Sequence, residues 1–241
     1  MAPSLTNNGS TSATHDPQAK ADQVKAEKLL AQAESTLQAI DDAHIIVHGD
    51  HEQRAMPRFS SAEVGMGDYL GEGGYGLVHQ VGKISLQADF DDPENNDELQ
   101  KARVFLERHC LRQGKTRYAM KICKTGLRAH EKARGMIDLA VEAKYLSTVS
   151  HPNIIKLRGM AQGPLVDDKF FILLDRLETT LDKKMQEWGE LRRQVLQKGQ
   201  GWWRKRSKNE KKQKALKDLM VLRLTVAYDL AKAFYYLHSH R

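Results

Sequence analysis

Apolar positions recur along this chain with two periods, one helical and one extended, and the changes of period divide it into segments. From Ala21 to about Ala43, the residues Ala26, Leu30, Ala33, Leu37 and Ile40 fall at spacings of four, three, four and three, which is one stripe of a helix. Alanine at two of those five positions makes a weak coiled coil, so packing against the rest of the chain competes with dimerisation. Residues 1–20 are rich in Ser, Thr, Asn and Gly, have no periodic apolar face to offset the entropy of ordering, and are expected to be disordered. Ile45 to Arg58 reads as a linker, so residues 21–58 form a helix-and-linker unit.

Ser61 to Val81 reads as a strand, a glycine turn and a second strand, with Tyr69-Leu70 entering the turn and Leu77-Val78 leaving it. Gly82 to Arg117 opens with a polar loop through Asp91, Asp92, Pro93, Glu94, Asn95 and Asn96. It continues as an amphipathic helix through Leu99, Val104, Phe105 and Leu111, an insertion between strands. Tyr118 to Cys123 alternates as a strand, with Ala119, Lys121 and Cys123 on one face and Tyr118, Met120 and Ile122 on the other. Glu131 to Val149 is helical, with Leu139, Glu142 and Leu146 along one side, and Pro152 forbids its continuation. Ile154 to Met160 and Phe170 to Leu174 are two further strands. Beyond Glu178 the chain turns helical, and from Leu216 the positions Leu219, Leu222, Val226, Leu230, Phe234 and Leu237 predict a core helix.

The candidate chemistry sits in the glycine turn, Gly71-Glu72-Gly73-Gly74-Tyr75-Gly76-Leu77-Val78. Without Cβ, glycine takes tight turns and brings backbone N–H groups close to phosphate oxygens. A Gly-x-Gly-x-x-Gly pattern also occurs in dinucleotide folds, where the glycines open a helix after a strand. Here the residues after the glycines, through Val81, are strand-forming, and no Lys-Ser/Thr pair follows as a P-loop requires. The hairpin reading is therefore preferred, with Lys121 of Tyr118-Ala119-Met120-Lys121 as the fixed positive charge.

Taken together, the glycine turn with Val78, Tyr118-Ala119-Met120-Lys121, Glu142 on a helix, and His151-Pro152-Asn153-Ile154-Ile155 before a strand resemble the N-terminal lobe of the eukaryotic protein kinases in order and spacing. The resemblance covers roughly Ser61 to Leu177 and, more loosely, the helix from Leu216 to Ser239. It implies an α+β, protein-kinase-like fold: a five-stranded antiparallel N-lobe sheet with one main helix over residues 59–177, and the first helices of an incomplete C-lobe over 178–241. It further implies that Gly71, Gly73 and Gly76 cover the phosphates of ATP and that Lys121, held by Glu142, neutralises the α- and β-phosphates. Val78 and Ala119 would roof the adenine, with Leu174 as gatekeeper. Asp175 and Leu177 would belong to the hinge, whose backbone bonds the base. Leu146 and Leu157 match apolar positions stacked between helix and sheet.

The same resemblance exposes a gap. Phosphoryl transfer needs a catalytic-loop aspartate, a metal-binding asparagine and the aspartate of Asp-Phe-Gly. None of these motifs occurs in the sequence, and His240-Arg241 is read as falling short of His-Arg-Asp. No metal ligand is assigned, and Mg2+ is expected only in a complete kinase. The expected function is thus the ATP-binding portion of a Ser/Thr-type protein kinase acting in phosphorylation signalling, inactive by itself. The alternative is a non-catalytic nucleotide-binding or interaction module on a kinase scaffold, and the expected partners are ATP and a protein substrate or regulatory partner.

Charge refines this picture. The net charge is +7, yet Arg192 to Asp218 holds eleven Lys or Arg against Glu210 and Asp218, a local +9 that leaves the rest slightly acidic. This basic insert (192–218) reads as a solvated, partly disordered loop. It could also dock an acidic partner or anionic membrane through Trp202-Trp203. Nucleic-acid binding is the minor reading, because the charge is confined to the insert. The two cysteines, Cys110 and Cys123, show no metal-ligand spacing and read as reduced thiols. No apolar run reaches membrane-spanning length and Met1 to Lys20 has no apolar leader core, so an intracellular, cytoplasmic location is expected.

Overall fold

The computed structural model describes residues 17–48, 56–87, 97–197 and 205–239. In chain order the elements are α1 (Pro17–His48), β1 (Arg58–Phe59), β2 (Val64–Glu72), β3 (Gly76–Ile84), α2 (Asp97–Arg108), β4 (Leu111–Arg112) and β5 (Lys115–Thr116). Then follow β6 (Tyr118–Cys123), α3 (Ala129–Thr148), β7 (Leu157–Ala161), β8 (Phe171–Asp175), α4 (Leu181–Gln197) and α5 (Lys205–Ser239). The class is α+β. The expected tail over 1–16, most of the linker (49–55), the acidic loop (88–96), Trp202-Trp203 and His240-Arg241 lie outside the described residues. Residues 17–20 and 45–48, expected to be tail and linker, belong to α1.

The sheet has six strands in the order β1-β7-β8-β6-β3-β2, and it is mixed: β1 runs parallel to β7 while every other neighbouring pair is antiparallel. This corrects the five-stranded antiparallel expectation. The extra strand is only Arg58–Phe59, too short to carry an alternating pattern, and it is fixed from elsewhere in the chain. Phe59 is fully buried, and a Cβ on Gly159 would stand 2.7 Å from its ring, so bare backbone at Gly159 admits it. Met160 N–H then donates to the Pro57 carbonyl at 3.0 Å and Gln162 N–H to that of Phe59 at 2.9 Å.

Five helices occur among the described residues, at the five segments where helical character was expected. In α1 the predicted stripe is the packing face: Ala26, Ala33 and Leu37 are buried, with Leu30 and Ile40 half-buried. That face lies on α3, with Asp22 beside His130 (3.5 Å) near the starts of the helices and an Asp41–Lys144 ion pair near their ends, so the two run parallel. Ala133 and Ala140, buried on the stripe of α3 that carries His130 and Lys144, face a seam of alanines. Small side chains on both helices permit close approach, which makes the weak coiled-coil seam a good intramolecular one.

On α2 the buried positions are Leu99, Arg103 and Leu106, while Phe105 is exposed and Leu111 falls in the β4–β5 hairpin. Arg103 is buried because it meets a buried carboxylate: its Nη2 donates to Glu63 Oε1 at 2.5 Å. Glu63 also accepts from the N–H groups of Ser60 and Gln87, both at 2.9 Å. A charged pair thus joins the insertion to the sheet edge.

The basic insert is not a loop at its two described flanks, since α4 extends to Gln197 and α5 begins at Lys205. Lysine and arginine are good helix formers, so a like-charged run can remain helical when its side chains are solvated. The apolar stripe of α5 is also displaced from expectation. Leu219, Val226, Ala233 and Tyr236 are its most covered positions, whereas Leu222, Leu230, Phe234 and Leu237 are exposed. The α3–β7 loop meets the covered side: Asn153 Nδ2 donates to the Asp229 carbonyl at 2.8 Å, Ser150 N–H to Tyr236 Oη at 3.1 Å, and His151 stacks on Tyr236. No helix among the described residues is long and apolar enough to cross a membrane.

Candidate functional site

Strand register assembles the predicted residues. Gly71 pairs with Val78, Val78 with Lys121 and Lys121 with Ile172, so one row crosses β2, β3, β6 and β8. A second row joins Gln80, Ala119, Leu174 and Leu157. Residues paired across antiparallel strands share a face, and alternation along β6 puts Ala119 on the face of Lys121. Gly71, Val78, Ala119, Lys121 and Leu174 therefore occupy one face of the sheet. Ala119 and Leu174 are buried, while Val78 and Lys121 are half-covered.

Onto this face α3 brings Gly135, Leu139, Glu142 and Leu146, spaced four, three and four. Leu139 and Leu146 pack into the core, and Glu142 accepts a hydrogen bond from the Lys121 ammonium. The side chains of this ion pair are 28% and 32% exposed, so it remains open to a ligand from solvent. The start of α3 is fixed by Glu131, which accepts from the Arg128 N–H at Oε2 (3.2 Å) and from Arg128 Nη2 at Oε1 (2.7 Å). The Arg128 hydrogen bond holds the Glu131 carboxyl down at about 2.

The glycine turn is a β-hairpin closed by Gly73 N–H donating to the Gly76 carbonyl at 2.9 Å. A Cβ at Gly71, Gly73 or Gly74 would meet nothing within 4 Å, so the backbone there faces open space. Gly76 differs, because a Cβ would lie 3.1 Å from Lys121 Cε and press on the lysine stem. Two further residues belong to the arrangement and carried no motif signal. Gly135 of α3 would place a Cβ 2.8 Å from Cys123 Sγ and 2.9 Å from Tyr75 Cβ, so its bareness sets how closely the helix approaches the hairpin. Lys124 N–H donates to the Tyr75 carbonyl at 2.8 Å and its ammonium reaches Glu72 at 3.3 Å, tying the hairpin to the end of β6. A glycine within a helical pattern, with its unfavourable propensity, was the available clue to Gly135.

At the far end of β8, Arg158 grips Asp175 in a bidentate pair at 2.7 and 2.8 Å, which raises the Arg158 guanidinium pKa. The Asp175 side chain is thereby occupied, and its N–H donates to the Lys156 carbonyl at 3.2 Å. Leu177 is exposed. Burial pushes the Cys110 and Cys123 thiols above their ordinary range, consistent with unreactive structural cysteines. Among the described residues no group of three or more His, Cys, Asp or Glu is placed to hold a metal ion. Compared with models of known protein families and with curated proteins, the chain matches none.

Proposed function

We propose that this chain is the ATP-binding portion of a protein kinase of the Ser/Thr type. The reading is carried by one observation: Lys121 on the central strand, below the glycine hairpin, is held by Glu142 from α3. A lysine so placed presents a fixed charge to two phosphates, and the open space beside Gly71, Gly73 and Gly74 lets phosphates come close to the hairpin backbone, although the Gly73 N–H is committed to the Gly76 carbonyl. Val78, Ala119 and Leu174 supply an apolar surface for a base, and the Asp175 carbonyl and the Leu177 backbone supply its edge contacts. These residues fit a nucleotide. Bound ATP would contribute its γ-phosphoryl group as the transferable unit.

The described residues do not assemble a magnesium site, and the sequence contains no His-Arg-Asp or Asp-Phe-Gly. Transfer to a protein hydroxyl is therefore assigned to a protein that carries those loops as well. The exposed apolar side chains of α4 and α5, among them Met185, Leu222, Phe234 and Tyr235, suit helices that belong to a larger helical lobe. The second reading is a non-catalytic nucleotide-binding or interaction module on the same scaffold.

Thermal unfolding in the presence of ATP tests the proposal. Saturable stabilisation is expected, about 2.7 kcal/mol at a hundredfold excess over Kd, and Lys121→Met should abolish it while leaving the unliganded midpoint close to wild type. A wild-type chain indifferent to ATP would overturn the reading. Phosphate transfer by these 241 residues to a generic protein substrate, lost on Lys121→Met, would instead overturn the separation of binding from turnover.

A further inference from the structure

A cavity of about 830 Å³ opens where the β4–β5 hairpin meets the ends of β7 and β8, away from the glycine hairpin. Its lining is dominated by cations: Arg112, Lys115, Arg117, Arg158 and Arg176, set against the carboxylates of Asp175 and Glu178. Two of the cations build its frame. Arg158 is clamped to Asp175, and Arg176 donates from Nη1 to Thr116 Oγ1 at 3.0 Å while its backbone N–H donates to the Arg117 carbonyl at 2.9 Å. The Arg176 Nε is buried and has no hydrogen-bond acceptor among the described residues.

The other three line the cavity without an ion pair among the described residues. Arg117 lies with its guanidinium 5.8 Å from the Tyr118 ring centre. Arg112 and Lys115 are direct partners in the β4–β5 register and take part in no ion pair among the described residues. Like charges directly opposite on a hairpin repel and destabilise it. The turn between them adds strain, since Gln113 sits at φ 53 ahead of Gly114 at φ 74, and a non-glycine residue there is costly. A strained, self-repelling hairpin that crowds cations over a cavity is what an anion would stabilise.

We propose that this cavity is a binding site for a phosphate monoester, taken as the phosphorylated side chain of a peptide or as a free phosphorylated small molecule. Guanidinium groups match phosphate oxygens through paired N–H donors, and a dianion offers enough acceptors for Arg112, Lys115 and Arg117 together. The Asp175–Arg158 pair keeps the floor rigid and screens Asp175 from the ligand. The cavity shares Asp175 with the nucleotide reading, but none of its cations is assigned to the nucleotide, so the two are separable by substitution.

Fluorescence anisotropy with a labelled phosphoserine peptide and its unphosphorylated counterpart tests this. The phosphopeptide should bind at least about tenfold more tightly, and the preference should weaken with added salt. The double variant Arg112→Ala/Lys115→Ala should remove the preference without lowering the thermal midpoint and with any ATP response as in wild type. O-phosphoserine competing as well as the whole peptide would assign the site to free phosphate monoesters, whereas weaker competition would assign it to phosphorylated protein segments. Equal binding of the two peptides, or a preference that survives the double variant, would overturn the proposal, the second result pointing to the basic segment 192–218.

Discussion

Glu142 and Lys144 stand two residues apart on α3 and hold opposite partners, Glu142 the ammonium of Lys121 in the sheet and Lys144 the carboxylate of Asp41 in α1. Two residues of helix turn the chain through about 200°, so these pairs pull on opposite sides of α3 and fix its rotation. The position of Glu142 is thus tied to α1, an element outside the sheet. Truncating the α1 seam by Leu37→Ala should lower unfolding free energy by about 2 kcal/mol, the low end for a buried leucine at a helix interface. Asp41→Asn should cost about 1 kcal/mol, as it keeps the shape and removes one charge from a partly exposed pair. Denaturant melts of both variants check this, and unchanged midpoints would mean that α1 does not brace α3.

Gly135 gives a test in which two effects have opposite sign. Helix propensity alone makes Gly135→Ala stabilising by about 1 kcal/mol. The added Cβ would lie 2.8 Å from Cys123 Sγ and 2.9 Å from Tyr75 Cβ, and overpacking of that kind costs about 1–3 kcal/mol. The clash is expected to win, with a lower melting midpoint. A rise would show that the helix can shift away from the hairpin.

The glycines of the hairpin should separate by environment. Gly73→Ala meets open space, whereas Gly76→Val crowds Lys121 Cε. If the nucleotide reading holds, Gly76→Val should weaken ATP binding about tenfold or more through displacement of the lysine, the equivalent of about 1.4 kcal/mol. Gly73→Ala should weaken it less. Isothermal titration of the two variants gives the comparison.

The Glu63–Arg103 pair is buried on both sides, so removal of one partner strands a charge. Arg103→Met should cost about 3–5 kcal/mol, and the double variant Glu63→Gln/Arg103→Met should recover much of that loss. Urea melts of the single and double variants form the cycle, and equal losses in both would assign the effect to the guanidinium's contact with the Phe59 ring (5.5 Å) instead.

Acid should loosen the start of α3. The Glu131 carboxyl is held at about 2 in the folded chain by Arg128, against 4.5 ordinarily. A depressed acid contributes stability that is fully present above pH 4.5 and is lost as pH falls toward 2. The difference in melting midpoint between wild type and Glu131→Gln should therefore shrink through that window, and a constant difference would dissociate the cap from the carboxylate's charge.

Much of the sheet and the α3 helix was legible because each is written locally. The alternation of Tyr118–Cys123 set which side chains share the face of Lys121, and the spacing of Leu139, Glu142 and Leu146 set the sheet-facing side of α3. The α5 stripe was misread for a physical reason: with apolar residues around much of its circumference, periodicity does not specify which side finds a partner. There the loop through His151 and Asn153 chose the side of Tyr236 and Asp229.

By itself, then, the amino-acid sequence determined the local repertoire: the glycine hairpin, the lysine strand, the helix bearing Glu142 and the alanine-rich seam of α1. Tertiary structure alone decided that the seam packs on α3, that Arg58–Phe59 joins the sheet in parallel beside Gly159, and that Arg103 is buried on Glu63. It also gathered Arg112, Lys115, Arg117, Arg158 and Arg176 around one cavity. The reason is range. Hydrophobic periodicity and turn chemistry act between neighbours in the chain, whereas a two-residue strand, a buried ion pair and a cationic cavity arise from residues distant in sequence, which leave no periodic trace where they stand.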